Sequence, residues 1–406
     1  MINNKNHKKY FYPLLENGFS KKDILEGTKV LKSRFITMGK HTYNFEKEFA
    51  KKFNTKYALM VNSGSSANLL AVFASKNPLR KKIFKNNDEA LIPVLCWPTS
   101  LWPLVQAGLI PKFVDINPNT LNVDAEYLIS KITNKTKLIM IVNVLGSSTD
   151  VKKIAEVARK KNIILIEDNC ESLGAKLNNK YLGTFGDFGT FSFFYSHQIT
   201  SGEGGMILCK NEKDYEILLA LRSHGWSRGI FQNKIKKKYP NLDSRYIFYN
   251  SGFNLRPTDI QAAIGHSQFN RLKTITENRK FNKKMILSKI NKDKRWNNQF
   301  KFIEIPKKIN PSYMVLPFLL NEKYKNKKKK FLNKIENIGI ETRPIISGSF
   351  VNQPATKLYK LNKSNNKFLG AEKVEKLGFV IGLNSKKITK KIINKIVDGL
   401  FLIDKI

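Results

Sequence analysis

Residues 191–205 run from Phe191-Ser192-Phe193-Phe194 through Tyr195, Ser196, His197 and Gln198 to the glycine-rich turn Gly202-Glu203-Gly204-Gly205. A histidine among hydroxyls at the end of an aromatic run can move protons near neutral pH, or it can be a core histidine satisfied by its neighbours. A second stretch, Glu167-Asp168-Asn169-Cys170-Glu171-Ser172, follows the apolar residues 163–166. A carboxylate at the carboxyl end of a strand points into the crevice where open α/β sheets bind ligands. There it can hold a heterocyclic nitrogen protonated, or it can serve as an acidic helix cap. The third stretch, Ser63-Gly64-Ser65-Ser66, precedes an apolar run of helical character. Its backbone N–H groups and hydroxyls form an anion site suited to phosphate, or a plain cap.

These stretches lie at the ends of predicted elements. Residues 57–61 read as a short buried strand before the serine-glycine turn, and 69–74 as a helix after it. Apolar, β-branched runs at 90–94, 112–115, 138–142 and 163–168 follow, with a helical pattern at 151–161 between the last two. Such alternation predicts a mainly parallel sheet covered by helices, with 189–194 and 205–209 as further strands. A long helix is expected from Pro257 to about residue 290, the proline suiting its first turn. Beyond residue 300 the pattern changes to strands at 302–305, 314–320 and 340–345 with helices near 323–337 and 387–403. The expected organisation is an N-terminal arm over 1–30, a large domain over 31–290 and a smaller α+β domain over 291–406.

The 406 residues are 41% apolar, enough for a sizeable core and too hydrophobic for a disordered chain. The apolar runs are too short to span a bilayer, so no membrane insertion is expected. With 72 Lys and Arg against 32 Asp and Glu, the formal charge is +40. The excess is spread along the chain with abundant Asn and Ile. Its clusters at 234–238 and 327–330 carry no interleaved aromatic platform, so no nucleic-acid partner is predicted. Cys96, Cys170 and Cys209 are too few and too widely spaced for a disulfide framework. Together with the absence of a secretory pattern in residues 1–20, they point to a reducing cytoplasm.

Five motifs in order carry a resemblance: S-G-S-S-A-N at 63–68, E-D-x-C-E-S-x-G-A at 167–175, G-T-F-S-F at 189–193, G-E-G-G at 202–205, and G-F-N-L-R-P-T-D-I-Q-A-A at 252–263. The sequence is similar to the DegT/DnrJ/EryC1/StrS nucleotide-sugar aminotransferases over about residues 39–343. That resemblance implies an α/β, aspartate-aminotransferase-like architecture (PLP fold type I) with a seven-stranded, mainly parallel sheet and a smaller α+β domain. It also implies a pyridoxal 5'-phosphate cofactor and a homodimer with shared active sites.

Members of the family keep a lysine where this chain has His197, and residues 181–209 contain no lysine. The sequence therefore resembles the dehydrating branch. That branch holds pyridoxal or pyridoxamine phosphate non-covalently, removes the C3 hydroxyl of a GDP-linked 4-keto-6-deoxy sugar, and uses L-glutamate to restore the amine form. A 4-aminotransferase is the alternative. A related branch acting on CDP-sugars carries an iron–sulfur cluster, but three cysteines with none after Cys209 cannot supply four thiolates, so no cluster is expected.

Roles follow from the resemblance. Gly64, Ser65 and Ser192 are expected to hold the phosphate, with Asn254 reaching in from the partner subunit. Trp97 is expected to stack on the pyridine ring, Asp168 to pair with its nitrogen, and His197 to face the reacting carbon. Glu171, Ser196 and Arg256 are placed near the cofactor, and His224 and Arg343 toward the substrate.

Overall fold

The computed structural model describes residues 10–15, 18–227, 232–362 and 366–406. Parts of the expected arm (1–9 and 16–17) lie outside the described residues.

Seven strands form the main sheet: β1 (Tyr57–Val61), β2 (Glu89–Pro93), β3 (Ile110–Val114), β4 (Thr136–Val142), β5 (Ile164–Asp168), β8 (Phe188–Ser192) and β9 (Gly205–Cys209). Their order is β1-β9-β8-β5-β4-β2-β3. Only β9 runs against its neighbours, so β1, β2, β5 and β8 all end at the same edge. The sites flagged in the sequence follow those ends.

Alternation along β8 sorts its side chains. Phe191 and the following Phe193 turn into an aromatic cluster with Phe45, Phe49, Phe53 and Phe269 beneath the helices Lys40–Phe53 and Asp259–Phe269. Phe49 stacks on Phe53 at 4.6 Å between ring centroids and on Phe269 at 4.9 Å. Each buried ring contributes about 1.5–3 kcal/mol from burial alone. Thr190 and Ser192 face the other way, toward the helix Gly64–Ser75. The Phe cluster thus fixes the plane from which the polar pair projects.

β6 (Lys176–Leu177), β7 (Lys180–Tyr181) and β11 (Ile309–Asn310) form a small antiparallel sheet in the order β11-β6-β7. β10 (Phe300–Phe302), β12 (Val315–Leu320), β13 (Thr342–Arg343) and β14 (Gly378–Gly382) form a second antiparallel sheet, order β10-β12-β14-β13. Tyr12 bridges to Ile340, and its hydroxyl donates to the Gly382 carbonyl at 3.0 Å.

Several elements differ from the sequence expectation. The long helix is two, Asp259–Phe269 and Leu272–Asn291, broken where Arg271 leaves helical geometry and pairs with the buried Asp23. The strand expected at 340–345 shrinks to β13, because Pro344 has no N–H to give a ladder. Where an arm was expected, Lys21–Lys32 is a helix closed by a reciprocal capping box between Ser20 and Asp23.

Candidate active site

One cavity of about 370 Å³ opens at the carboxyl edge of the main sheet. Eight residues expected to act together line it: Gly64, Ser65, Trp97, Asp168, Glu171, Ser192, Ser196 and His197. Asn254, Arg256, His224 and Arg343 do not line it among the described residues. Asn254 accepts a hydrogen bond from Arg256 Nε at 3.1 Å and bridges to Ser223, beside His224. Arg343 pairs with Glu341 at 2.5 Å.

The first wall is the start of the helix Gly64–Ser75. Ser63 caps it, its hydroxyl accepting from the Ser66 N–H at 3.1 Å. The first-turn amides of Gly64 and Ser65 have no carbonyl one turn back to bind, and the helix dipole adds positive potential there. A Cβ on Gly64 would stand 2.4 Å from Ser192 Cβ and 3.0 Å from Cys170 Sγ, so only glycine lets this turn approach β8.

Asp168 ends β5 with its carboxylate fixed by three donors. Asn68 Nδ2 and Ser100 Oγ each donate to Oδ2 at 2.7 Å, and the Cys170 N–H donates to Oδ1 at 3.0 Å. Asn68 is oriented in turn by Thr190, whose hydroxyl donates to its Oδ1 at 2.6 Å. The anchoring by Asn68 and Ser100 was not foreseen, although Asn68 lies four residues after Gly64 on the same helix face. Behind it, the buried Glu167 accepts from the N–H groups of Gly183, Phe185 and Gly186, so this second carboxylate supports the loop rather than the cavity.

Trp97 precedes the helix Pro98–Gln106 and is 57% exposed, so its indole is open to a ring stacked from the cavity. Glu171 accepts from the Leu145 N–H at 3.0 Å, and burial pushes its carboxyl up to about 7. His197 sits in the turn after β8, its N–H donating to the Phe194 carbonyl at 3.1 Å. Burial pulls its imidazole down to about 4; nearby Arg279 acts in the same direction, while a backbone bond to Ser192 and the charge of Asp168 oppose it. The near-neutral histidine expected from the sequence is therefore a histidine held uncharged at neutral pH, because its surroundings cost a cation more than Asp168 returns. Burial also pushes the Cys170 thiol up. No lysine lines the cavity among the described residues. Nor do those residues contain a group of three or more His, Cys, Asp or Glu side chains placed to hold a metal ion.

A crevice at the end of a mainly parallel sheet that pairs free helix-end amides with a tightly held carboxylate has the chemistry to suit a phosphate-bearing heterocycle. The chain belongs to the DegT/DnrJ/EryC1/StrS aminotransferase family, whose model matches residues 19–401. It is 37% identical to the GDP-4-keto-6-deoxy-D-mannose 3-dehydratase of Escherichia coli O55:H7, over 91% of this chain and 95% of that one. A structure of the E. coli GDP-4-keto-6-deoxy-D-mannose-3-dehydratase with bound hydrated PLP superposes with a TM-score of 0.86 at 34% identity, covering 97% of this chain and all of the other. A GDP-4-keto-6-deoxymannose-3-dehydratase structure with a trapped PLP-glutamate geminal diamine matches with a TM-score of 0.85 at 34% identity, over 96% of this chain and 100% of that one. The fold is that of the PLP fold type I enzymes.

Proposed function

We propose that this chain is a pyridoxal/pyridoxamine-phosphate-dependent 3-dehydratase. On this reading it converts GDP-4-keto-6-deoxy-D-mannose to GDP-4-keto-3,6-dideoxy-D-mannose, and L-glutamate restores the amine form of the cofactor. The observation that carries the reading is His197 lining the cavity that also holds Asp168 and the Gly64 turn, in a wall with no lysine among the described residues.

The residues present fit the cofactor. The Gly64 cradle, which a Cβ would fill, suits a phosphate, with Ser65 and Ser192 adding hydroxyls. Asp168, locked by Asn68 and Ser100, is placed to hold a ring nitrogen cationic. When bound in its amine form, the cofactor supplies a nucleophilic nitrogen for a sugar ketone and an electron sink for the carbon beside it. His197, uncharged at rest and lining the cavity, would accept a proton there and return one to the departing C3 hydroxyl. Trp97, exposed at the cavity wall, would stack on the ring. Glu171, Ser196 and Arg256 stand near the cofactor in this reading, and His224 and Arg343 toward the substrate. Asn254 and Arg256, outside this chain's cavity, are supplied to the site of a second copy, making the working unit a homodimer.

The test is incubation of the full chain with the cofactor, L-glutamate and GDP-4-keto-6-deoxymannose. Ammonia, 2-oxoglutarate and a sugar lacking its C3 oxygen are expected in equal amounts. A stable 4-amino sugar with no ammonia would replace the reading with a 4-aminotransferase.

A further inference from the structure

We infer that Arg279 is the positioning residue for His197: it holds the histidine turn by its backbone carbonyl and fastens that turn to two distant segments that back the cavity. The inference rests on the reading of His197 as the proton-moving group. Nδ1 of His197 is buried without a side-chain partner among the described residues, and the contact that bonds the ring is the Ser192 backbone, so no side-chain acceptor steers it. In catalytic histidines a carboxylate behind the imidazole commonly supplies that orientation. Here the orientation has to come from backbone alone, the Ser192 contact and the turn that carries the ring.

Arg279 lies on the helix Leu272–Asn291 and is 7% exposed. Its Nε donates to the Leu383 carbonyl at 3.0 Å, Nη1 to the Tyr313 carbonyl at 3.4 Å and Nη2 to the His197 carbonyl at 3.5 Å. A planar fork can hold three carbonyls from three segments in one fixed arrangement, which a flexible ammonium cannot. The next residue, Gln198, continues the fastening by donating to the Ser312 carbonyl at 2.9 Å and to that of Glu171. The loop so held delivers Met314 to the cavity wall. Its other side is set by Gly146, where a Cβ would come 2.1 Å from the Ser312 carbonyl oxygen. His197, Met314 and Glu171 are thereby referred to one frame.

The guanidinium also brings charge to the histidine. Among the described residues, the titratable groups around the ring are Asp168, Cys170, Glu171 and Glu203 from the cavity and Tyr195 and Arg279 from behind. Arg279 is the cation among them, and it opposes protonation of the ring.

Arg279→Lys and Arg279→Gln separate the two effects. In the full, cofactor-free chain labelled with ¹³C-histidine, the His197 signal is assigned by its loss in His197→Asn and titrated. Arg279→Gln is expected to raise its midpoint by about 0.5 in pH or more, as removal of one nearby charge requires. Arg279→Lys, which keeps the charge and loses the fork, is expected to titrate as the native chain does. In the dehydration assay both variants should lose about 10-fold or more in kcat with KM for the GDP-sugar within about twofold. A folded Arg279→Gln chain whose His197 midpoint stays put, or an Arg279→Lys chain with native kcat, overturns the inference. Should the Gln variant not fold, the Lys variant's kcat decides. Should the native chain dehydrate nothing, the proposed function fails while the titration still judges the contact.

Discussion

Asn68 and Asp168, a hundred residues apart, meet in a 2.7 Å hydrogen bond at the base of the cavity, and Thr190 fixes the amide that makes it. The carboxylate therefore keeps its direction whether or not anything is bound above it. Asp168→Asn removes the charge that holds a ring nitrogen cationic, and turnover should fall by about 100-fold or more. Asn68→Ala leaves the charge and loosens it. The expected result is a loss of about 10-fold in kcat, with stability lower by about 1–3 kcal/mol for the orphaned Thr190 and Asp168 groups. Steady-state rates and urea midpoints on both variants check this.

Gly64→Ala puts a methyl group where Ser192 Cβ and Oγ already stand, at 2.4 and 2.9 Å. Either the helix start or β8 must withdraw. A stability cost of about 1–3 kcal/mol is expected, with cofactor affinity down about 10-fold or more because the anion cradle opens. Fluorescence titration with pyridoxamine phosphate alone reads the affinity without any turnover.

His197→Lys places a primary amine in a cavity that no lysine lines among the described residues. Borohydride treatment of the variant with pyridoxal phosphate should attach one cofactor per chain at that position, and the same treatment of the native chain should attach none there. Peptide mass spectrometry measures both. The variant should also lose C3 deoxygenation.

The pH dependence of stability has two opposed parts. His197 is lowered from 6.5 to about 4, so between those values the unfolded chain takes up a proton that the folded chain refuses. Native stability is therefore lost as pH falls through that window, by about 3 kcal/mol in full. Glu171 is raised from 4.5 to about 7, so the folded chain keeps a proton there that the unfolded chain releases. Its contribution is present at low pH and is lost as pH rises through that range. His197→Asn removes only the first part. Relative to the native protein, the variant should gain about 2 kcal/mol between pH 7 and pH 5 in cofactor-free urea titrations.

What the sequence could reveal was what local spacing determines. Strand, Ser-Gly turn and helix at 57–74 and the acidic end of β5 are written in neighbouring residues, and both reached the cavity. Ser20 and Asp23, at capping-box spacing, also announced the helix Lys21–Lys32, a signal hidden by the mixed composition around it. The break after Phe269 was not visible, because it answers to Asp23 some 250 positions away. Arg279 looked like any helix arginine until its three carbonyls came together. The charge state of His197 was misjudged for the same reason: burial comes from segments the local sequence does not mention.

The small sheet β11-β6-β7 bears on how such a cavity could open. Leu177 faces Ile309 across it, and the Asn178 N–H reaches the Lys308 carbonyl at 3.0 Å. The polypeptide is thus stitched across the seam just before it enters the loop that carries Met314. A wide swing of the four-stranded sheet away from the seven-stranded one would rip this stitching. Admission and release of a ligand must then be managed by the rim around Trp97 and Ile346, with amide exchange at Asn178, whose N–H crosses the seam, staying slow throughout.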